Sequence, residues 1–71
     1  MKPNNYDLKI AKNVKNLRVA NGKCQKQVAF ILKITVSYYN KYEHGLRAFT
    51  CGQLQLIAEF LGVPLFLLLQ E

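Results

Sequence analysis

The sequence has very few of the residues on which catalysis and metal binding depend. Its 71 residues include four acidic residues, one histidine and two cysteines. The histidine, His44, has no evident nucleophile or acid as a partner, and no glycine-rich loop suits a phosphate. Cys24 and Cys51 lack the paired spacing of a zinc site. We therefore expect no catalytic residue, no metal ligand and no cofactor, and the composition argues against an enzyme.

Long apolar runs are also missing. The apolar stretch Val63–Leu69 is far shorter than the ~20 residues that span a bilayer. Residues 1–5 are polar, and no apolar segment typical of a signal peptide follows them. Two cysteines without an export signal are consistent with a reducing compartment. These absences predict a cytoplasmic protein without a membrane partner.

Acidic residues are scarcest in the body of the chain. The whole sequence carries a net charge of +6, but the stretch from Leu8 to Ala58 has nine basic residues and one acidic residue, a balance of +8. An apolar content of 51% argues against a disordered basic tail. A polyanionic partner is therefore expected. Three lysines lie opposite the apolar side of the first helix: Lys9, Lys12 and Lys15. We expect them to be solvated and to contribute only to the positive electrostatic field of the domain.

The periodicity of apolar residues predicts a single all-α domain, residues 1–71, with five helices and no strands. The first helix should run from about Asp7 to Ala20 and the second from Gln25 to Leu32. A third should follow Thr35 and stop at Gly45. The fourth should open with a capping box at Thr50-Cys51-Gly52-Gln53 and end at Gly62, and Pro64 suits the opening turn of a fifth.

The third helix has two different sides. Tyr39 and Tyr42 provide an apolar edge, while small, polar and cationic residues occupy the other side. Thr35 is a natural N-cap whose turn can also meet a phosphate. The second and third helices, joined by the short Lys33-Ile34 connection, predict a helix-turn-helix.

The chain from about Ile10 to Leu69 resembles the lambda-repressor and Cro-like helix-turn-helix family. The resemblance rests on the joint spacing of Gln25, Ala29, Ile34, Ser37, Tyr38, Lys41, Glu43, Gly45, Leu54, Ile57, Ala58, Leu61, Gly62 and Val63. It implies a compact five-helix fold that binds double-stranded DNA with its third helix in the major groove. We therefore expect a sequence-specific transcriptional regulator, and a repressor in particular.

The resemblance also implies which side chains face the bases. They are Val36, Ser37, Asn40 and Lys41. Lysine can donate to guanine, asparagine can pair with adenine, and serine can donate or accept. Val36 departs from the family, which commonly carries glutamine there, and it leaves only apolar contact with a thymine methyl.

Other residues are expected to position the protein. The resemblance assigns phosphate contacts to Gln25, Thr35 and Arg47. Gln25 and Thr35 can also serve simply as caps, and Tyr38 can either pack over the turn or touch DNA. Resemblance alone implies a partly buried ion pair between Arg18 and Glu43, which ties the first helix to the end of the third.

Surplus apolar residues in the C-terminal third predict a homodimer. Leu56, Phe60, Phe66 and Leu67 should remain exposed once the core is filled. A two-fold interface there places the recognition helices about 34 Å apart on a palindromic operator. No small-molecule ligand is evident.

Two alternatives stay open. One is an antitoxin or another protein-interaction module on the same fold, although we expect no toxin-binding segment after Glu71. The other is a restriction-modification controller protein, because a controller protein and a small phage-type repressor of this chain length have similar sequences.

Overall fold

The computed structural model describes residues 4–71, and within them it contains five α-helices and no β-strand. The helices are α1 (Asn5–Ala20), α2 (Gln25–Leu32), α3 (Val36–Glu43), α4 (Cys51–Leu61) and α5 (Phe66–Leu69). This arrangement confirms the predicted all-α fold with a helix-turn-helix formed by the second and third helices. No helix in residues 4–71 is long and apolar enough to cross a membrane.

Helix α1 begins earlier than the sequence predicted. The Asn4 side chain accepts a hydrogen bond from the backbone N–H of Asp7, and the Asp7 carboxylate accepts one from the backbone N–H of Asn4. This reciprocal capping box starts the helix at Asn5, so Asp7 belongs to the first turn. The start lies two residues before the expected position of about Asp7, because two polar residues provide the cap and the apolar periodicity does not include them.

The middle helices begin and end where the sequence predicted. Thr50 Oγ1 accepts from the backbone N–H of Gln53, and Gln53 Oε1 accepts from that of Thr50, which gives α4 the expected capping box. The turn between α2 and α3 passes through Lys33, which has a left-handed conformation at φ +59°. This left-handed residue ends α2 and redirects the chain, and α3 then packs against α2 as in a helix-turn-helix.

Helix α5 is short, and Pro64 lies in the turn that leads into it. It has only four residues, and Pro64 and Leu65 form the turn before it. The carbonyl groups of Pro64 and Leu65 accept from the backbone N–H groups of Leu67 and Leu68. These tight i to i+3 bonds make one turn, and the chain becomes extended at Gln70.

The core joins all five helices. Its largest fully buried side chains are Tyr39, Ile57, Leu68, Val14 and Val28. Helix α1 packs against α3, α4 and α5, while α2 packs against α3 and α4. Helix α3 is therefore held between α1 and α2, and its remaining side faces outward.

Gly45 fixes how the chain leaves α3. It is buried with φ +73°, and a Cβ at this position would overlap the side chain of Leu8 on α1. Glycine tolerates both the left-handed backbone and the close approach. The predicted stop at Gly45 therefore also allows close packing of this turn against α1.

Candidate nucleic-acid interface

Helix α3 presents a polar side to solvent. Ser37 and Lys41 are exposed, and Val36 keeps 46% of its surface accessible at the first turn. The opposite side is buried through Tyr39 and Tyr42. Because packing fixes one side of the helix, the exposed side chains project from a rigid support.

Thr35 caps α3. Its Oγ1 accepts a hydrogen bond from the backbone N–H of Tyr38 at 3.1 Å. The side chain is exposed, and its hydroxyl hydrogen is not used by the cap. The same residue can therefore hold the helix terminus and donate to a phosphate oxygen outside the protein.

Arg18 and Glu43 form a two-bond ion pair beneath α3. Arg18 Nε lies 2.5 Å from Glu43 Oε2, and Arg18 Nη2 lies 3.1 Å from Glu43 Oε1. Arg18 Nη1 also donates to the backbone carbonyl of Lys23 at 2.6 Å. The pair connects α1 to the last residue of α3 and to the chain just before α2.

The Glu43 carboxylate has two further donors. Tyr39 donates its hydroxyl to Oε2 at 2.5 Å, and Gln25 donates Nε2 to Oε1 at 3.0 Å. Together, Arg18, Gln25, Tyr39, Asn40 and Glu43 are called the polar cluster below. Within residues 4–71 no buried side-chain nitrogen or oxygen lacks a hydrogen-bond partner, so the cost of burying these groups is offset.

The polar cluster keeps Glu43 ionised at neutral pH. Burial acts to raise the pKa of this carboxyl, but the hydrogen bonds from Arg18, Tyr39 and Gln25 outweigh it and lower the pKa below its ordinary value. The hydrogen bond to Glu43 raises the pKa of Arg18, and burial raises that of Tyr39. At neutral pH both partners of the ion pair are charged and the tyrosine is neutral.

Gln25 and Asn40 are joined to each other. The Asn40 amide nitrogen donates to Gln25 Oε1 at 3.3 Å, and both side chains are half-buried between α2 and α3. Sequence analysis assigned a phosphate contact to Gln25 and a base contact to Asn40 and did not foresee this link. The two residues are 15 positions apart on different helices, so only the packed fold reveals their contact.

Arg47 lies beside α3 through an aromatic contact. Its guanidinium is 5.0 Å from the centroid of the Tyr38 ring, and that ring packs edge-on against Tyr42 at 5.6 Å between centroids. Tyr38 is half-buried and Arg47 is exposed. Of the two possibilities left open for Tyr38, packing is therefore present, and it holds Arg47 near the exposed side of α3.

The four residues predicted to form an exposed apolar strip are not equally exposed. Phe66 and Leu56 are 60% and 47% accessible. Phe60 and Leu67 are half-buried, and Phe60 packs against the core with Lys23 Nζ 5.2 Å from its ring centroid. The expectation of four exposed groups was wrong because Phe60 packs against its own core and Leu67 lies beside Asn13 and Leu17 of α1.

One exposed aromatic residue was missed by sequence analysis. Phe30 on α2 is 81% accessible, the highest value among the exposed large apolar residues in the described part of the chain. Its neighbours Val28 and Ala29 are buried, so it projects from the opposite side of the helix. Only its place outside the apolar periodicity of α2 could have indicated this exposure.

Comparison with known proteins establishes the family. A helix-turn-helix family model of the Cro and C1 type matches residues 14–68. Because this range covers well over half of the chain, the chain belongs to the helix-turn-helix family and is a DNA-binding transcription regulator. The resemblance to lambda-repressor and Cro-like proteins is thereby confirmed.

Among solved structures, the chain is similar to the restriction-modification controller protein C.AhdI from Aeromonas hydrophila. The two share 26% sequence identity with a TM-score of 0.76, and the alignment covers 86% of this chain and 92% of that one. No match was found among curated proteins.

Proposed function

We propose that the protein is a repressor that binds a palindromic operator as a homodimer, with α3 in the major groove. The observation that carries this proposal is the contrast between the two sides of α3. Tyr39, Tyr42 and Glu43 fix the buried side, while Ser37 and Lys41 project outward from a short helix in a domain of net charge +6. A helix of this kind fits the width of the major groove.

Base recognition is divided among the residues at the outer side and edge of α3. Lys41 donates to guanine O6 or N7, and Ser37 donates or accepts according to the base it meets. Val36, at the first turn, has only methyl groups to offer, which suits a thymine methyl. The operator should therefore show its strongest preference opposite Lys41 and a weaker one opposite Val36.

Contacts with the DNA backbone come from residues at the two ends of α3. The Thr35 hydroxyl donates to a phosphate at the N-terminal end, and Arg47 supplies a positive charge from the loop after the helix. Arg47 is exposed and is held at the ring of Tyr38, so it is oriented before DNA binds. Such contacts position the protein without selecting a base.

The homodimer would form through the C-terminal face, defined as Leu56, Phe60, Phe66 and Leu67. Phe66 on α5 and Leu56 on α4 provide its exposed apolar surface, while Phe60 and Leu67 are half-buried. A two-fold axis at this face uses the same surface from both subunits and places two copies of α3 about 34 Å apart. The operator should then be a palindrome with half-sites one helical turn apart.

A role in controlling a restriction-modification system is a second candidate. The similarity to C.AhdI, at 26% identity over most of both chains, favours it. Adjacent genes for a restriction endonuclease and a DNA methyltransferase, with the selected operator in their promoter region, would support this role. An operator found only beside unrelated genes would contradict it.

Selection of bound sequences from a random duplex pool tests the proposed function. The unmodified protein should enrich a palindrome, and Lys41→Ala should lose enrichment at one base pair in each half-site while retaining the others. Lys15→Ala removes the same charge from α1 and should enrich the same palindrome as the unmodified protein. Failure of the unmodified protein to enrich any sequence would overturn sequence-specific binding.

A further inference from the structure

We propose that Gln25 is a positioning residue. It transmits the orientation of the buried Glu43 carboxylate to the amide of Asn40, so that Asn40 presents its carbonyl oxygen to DNA and selects adenine. This inference rests on the proposed function, because it requires α3 to lie in the major groove. It differs from the sequence-based expectation, in which Gln25 contacts phosphate and Asn40 acts alone.

The first step is that Glu43 can only accept hydrogen bonds. Its pKa is lowered by the hydrogen bonds it receives, and the carboxylate is ionised at neutral pH. Its Oε1 accepts from Arg18 and from Gln25, while its Oε2 accepts from Arg18 and Tyr39. An ionised carboxylate has no hydrogen to give, so any group that faces it must be a donor.

The second step fixes the amide of Gln25. The two ends of a glutamine amide are nearly the same shape, and the hydrogen-bond network determines which end points where. The end facing Glu43 must be the amide nitrogen, which is 3.0 Å from Oε1. The carbonyl oxygen of Gln25 therefore faces the other way, toward Asn40.

The third step fixes the amide of Asn40. Because Gln25 offers a carbonyl oxygen, Asn40 must direct its nitrogen there, and the two atoms are 3.3 Å apart. Its own carbonyl oxygen then points away from Gln25. Rotating the Asn40 amide by half a turn would bring two carbonyl oxygens together and lose this hydrogen bond.

The consequence is a preference among bases. Directed away from Gln25, the Asn40 oxygen can accept from the amino group of adenine, and the second N–H of Asn40 can donate to adenine N7. Cytosine offers only the amino group, whereas guanine and thymine present acceptors at the corresponding positions. The ordered preference is adenine first, then cytosine, with guanine and thymine disfavoured.

The proposal is tested by measuring binding to four duplexes that differ only at the base pair opposite Asn40. Gln25→Met is the main variant, because it keeps the length of the side chain and removes both amide groups. It should reduce the preference for adenine over guanine about tenfold and leave the other positions unchanged. Asn40→Ala should abolish that preference, and Gln25→Met should have no further effect in the Asn40→Ala background.

A phosphate contact would give a different result. Gln25→Met would then weaken binding to all four duplexes by the same factor, and it would do so with Asn40 or Ala at position 40. That outcome, or an unchanged preference for adenine in Gln25→Met, overturns the inference. Circular dichroism and thermal melts of each variant ensure that altered binding does not reflect unfolding.

A measurement without DNA separates failure of this inference from failure of the proposed function. In nuclear magnetic resonance spectra of the free protein, the side-chain amide hydrogens of Asn40 should be distinct and protected from exchange with water, and Gln25→Met should remove that protection. Loss of protection supports the hydrogen-bonded link even if no operator is found. Equal, rapid exchange in both proteins overturns it even if the operator is real.

Discussion

The polar cluster under α3 and the C-terminal face differ in how much of each is hydrogen-bonded or covered within a single chain. In the polar cluster, the Glu43 carboxylate receives four hydrogen bonds from three residues. On the C-terminal face, Phe66 remains 60% accessible, and the folded monomer covers only part of the surface. One region is complete within a single chain, while the other presents apolar surface to solvent.

This difference corresponds to two requirements of operator binding, namely the reading of each half-site and the spacing between the two half-sites. The polar cluster holds α3 and the side chains at its edge within a single chain, so in the proposed homodimer each subunit would read its half-site with geometry that it already has. The C-terminal face has no part in the polar cluster, and its exposed side chains, Leu56 and Phe66, lie outside the core. It would instead set the distance between two half-sites. Changes in the polar cluster should therefore alter stability and reading, and changes in the C-terminal face should alter assembly.

The largest effect is expected from Glu43→Ala. It leaves Arg18 buried without its partner and removes the acceptor of Tyr39 and Gln25, which should lower the free energy of unfolding by about 3 kcal/mol. Urea unfolding followed by circular dichroism measures the change. Glu59→Ala removes the same charge from an exposed position on α4 and should change stability by less than about 0.5 kcal/mol.

Replacing the cluster by apolar groups sharpens the same comparison. The combined variant Arg18→Met/Tyr39→Phe/Glu43→Leu removes the charges and the tyrosine hydroxyl together, so no ion pair partner is stranded. It should be more stable than Glu43→Ala, because apolar replacements often match a buried ion pair in stability. Small and additive losses in the single and combined variants would show that the pair contributes little.

Acid should weaken the polar cluster selectively. The pKa of Glu43 is lowered in the folded protein, so the carboxylate stabilises the fold above the ordinary glutamate pKa. This contribution should be lost as the pH falls through the lowered value. Unfolding measured from pH 7 down to pH 2 should show a component in the unmodified protein that is absent from Glu43→Gln. Identical pH profiles would contradict this role.

The C-terminal face should be sensitive to charge but not required for folding. Leu56→Lys/Phe66→Glu changes only its two exposed members, and it should weaken self-association more than tenfold while leaving the melting temperature of the monomer nearly unchanged. Sedimentation at roughly tens of micromolar covers the range of weak dimers. Val19→Glu is the control, because Val19 is an exposed apolar residue near the end of α1. If the unmodified protein is already monomeric there, this face is not a stable interface in solution.

The smallest effect is expected from Arg47. Arg47→Ala should weaken binding to all duplexes and reduce the slope of log affinity against log salt by about 0.9, the value of one lost phosphate contact. Arg47→Lys keeps the charge and should preserve most of the slope, although it loses the contact of the guanidinium with the Tyr38 ring. An unchanged slope in Arg47→Ala would show that Arg47 does not contact the DNA backbone.

The sequence predicted the features that depend on neighbouring residues. Apolar periodicity and local caps placed α2, α3 and α4 correctly, because Thr35 and Thr50 bond within their own first turns. The start of α1 was misplaced since its cap at Asn4 precedes the apolar pattern. For α5 the sequence indicated only an opening turn at Pro64, because a run of leucines does not mark where a helix ends.

Features that depend on packing between distant residues could not be predicted in this way. The contact of Gln25 with Asn40 and the cation–π contact of Arg47 with Tyr38 depend on the orientation of one helix or loop against another. The pairing of Arg18 with Glu43 came from resemblance, as the two are 25 residues apart. Burial of Phe60 likewise depends on how α4 rotates against the core.

The central claim, that the exposed side of α3 reads DNA sequence, is tested most directly by Lys41→Ala. Fluorescence anisotropy on the selected operator and on a scrambled duplex of the same composition measures the effect. Lys15→Ala serves as the charge-matched control on α1. Lys41→Ala should lose about 1–3 kcal/mol on the operator and little on the scrambled duplex, whereas Lys15→Ala should have small and equal effects on both. Equal losses on the two duplexes for Lys41→Ala would contradict the account.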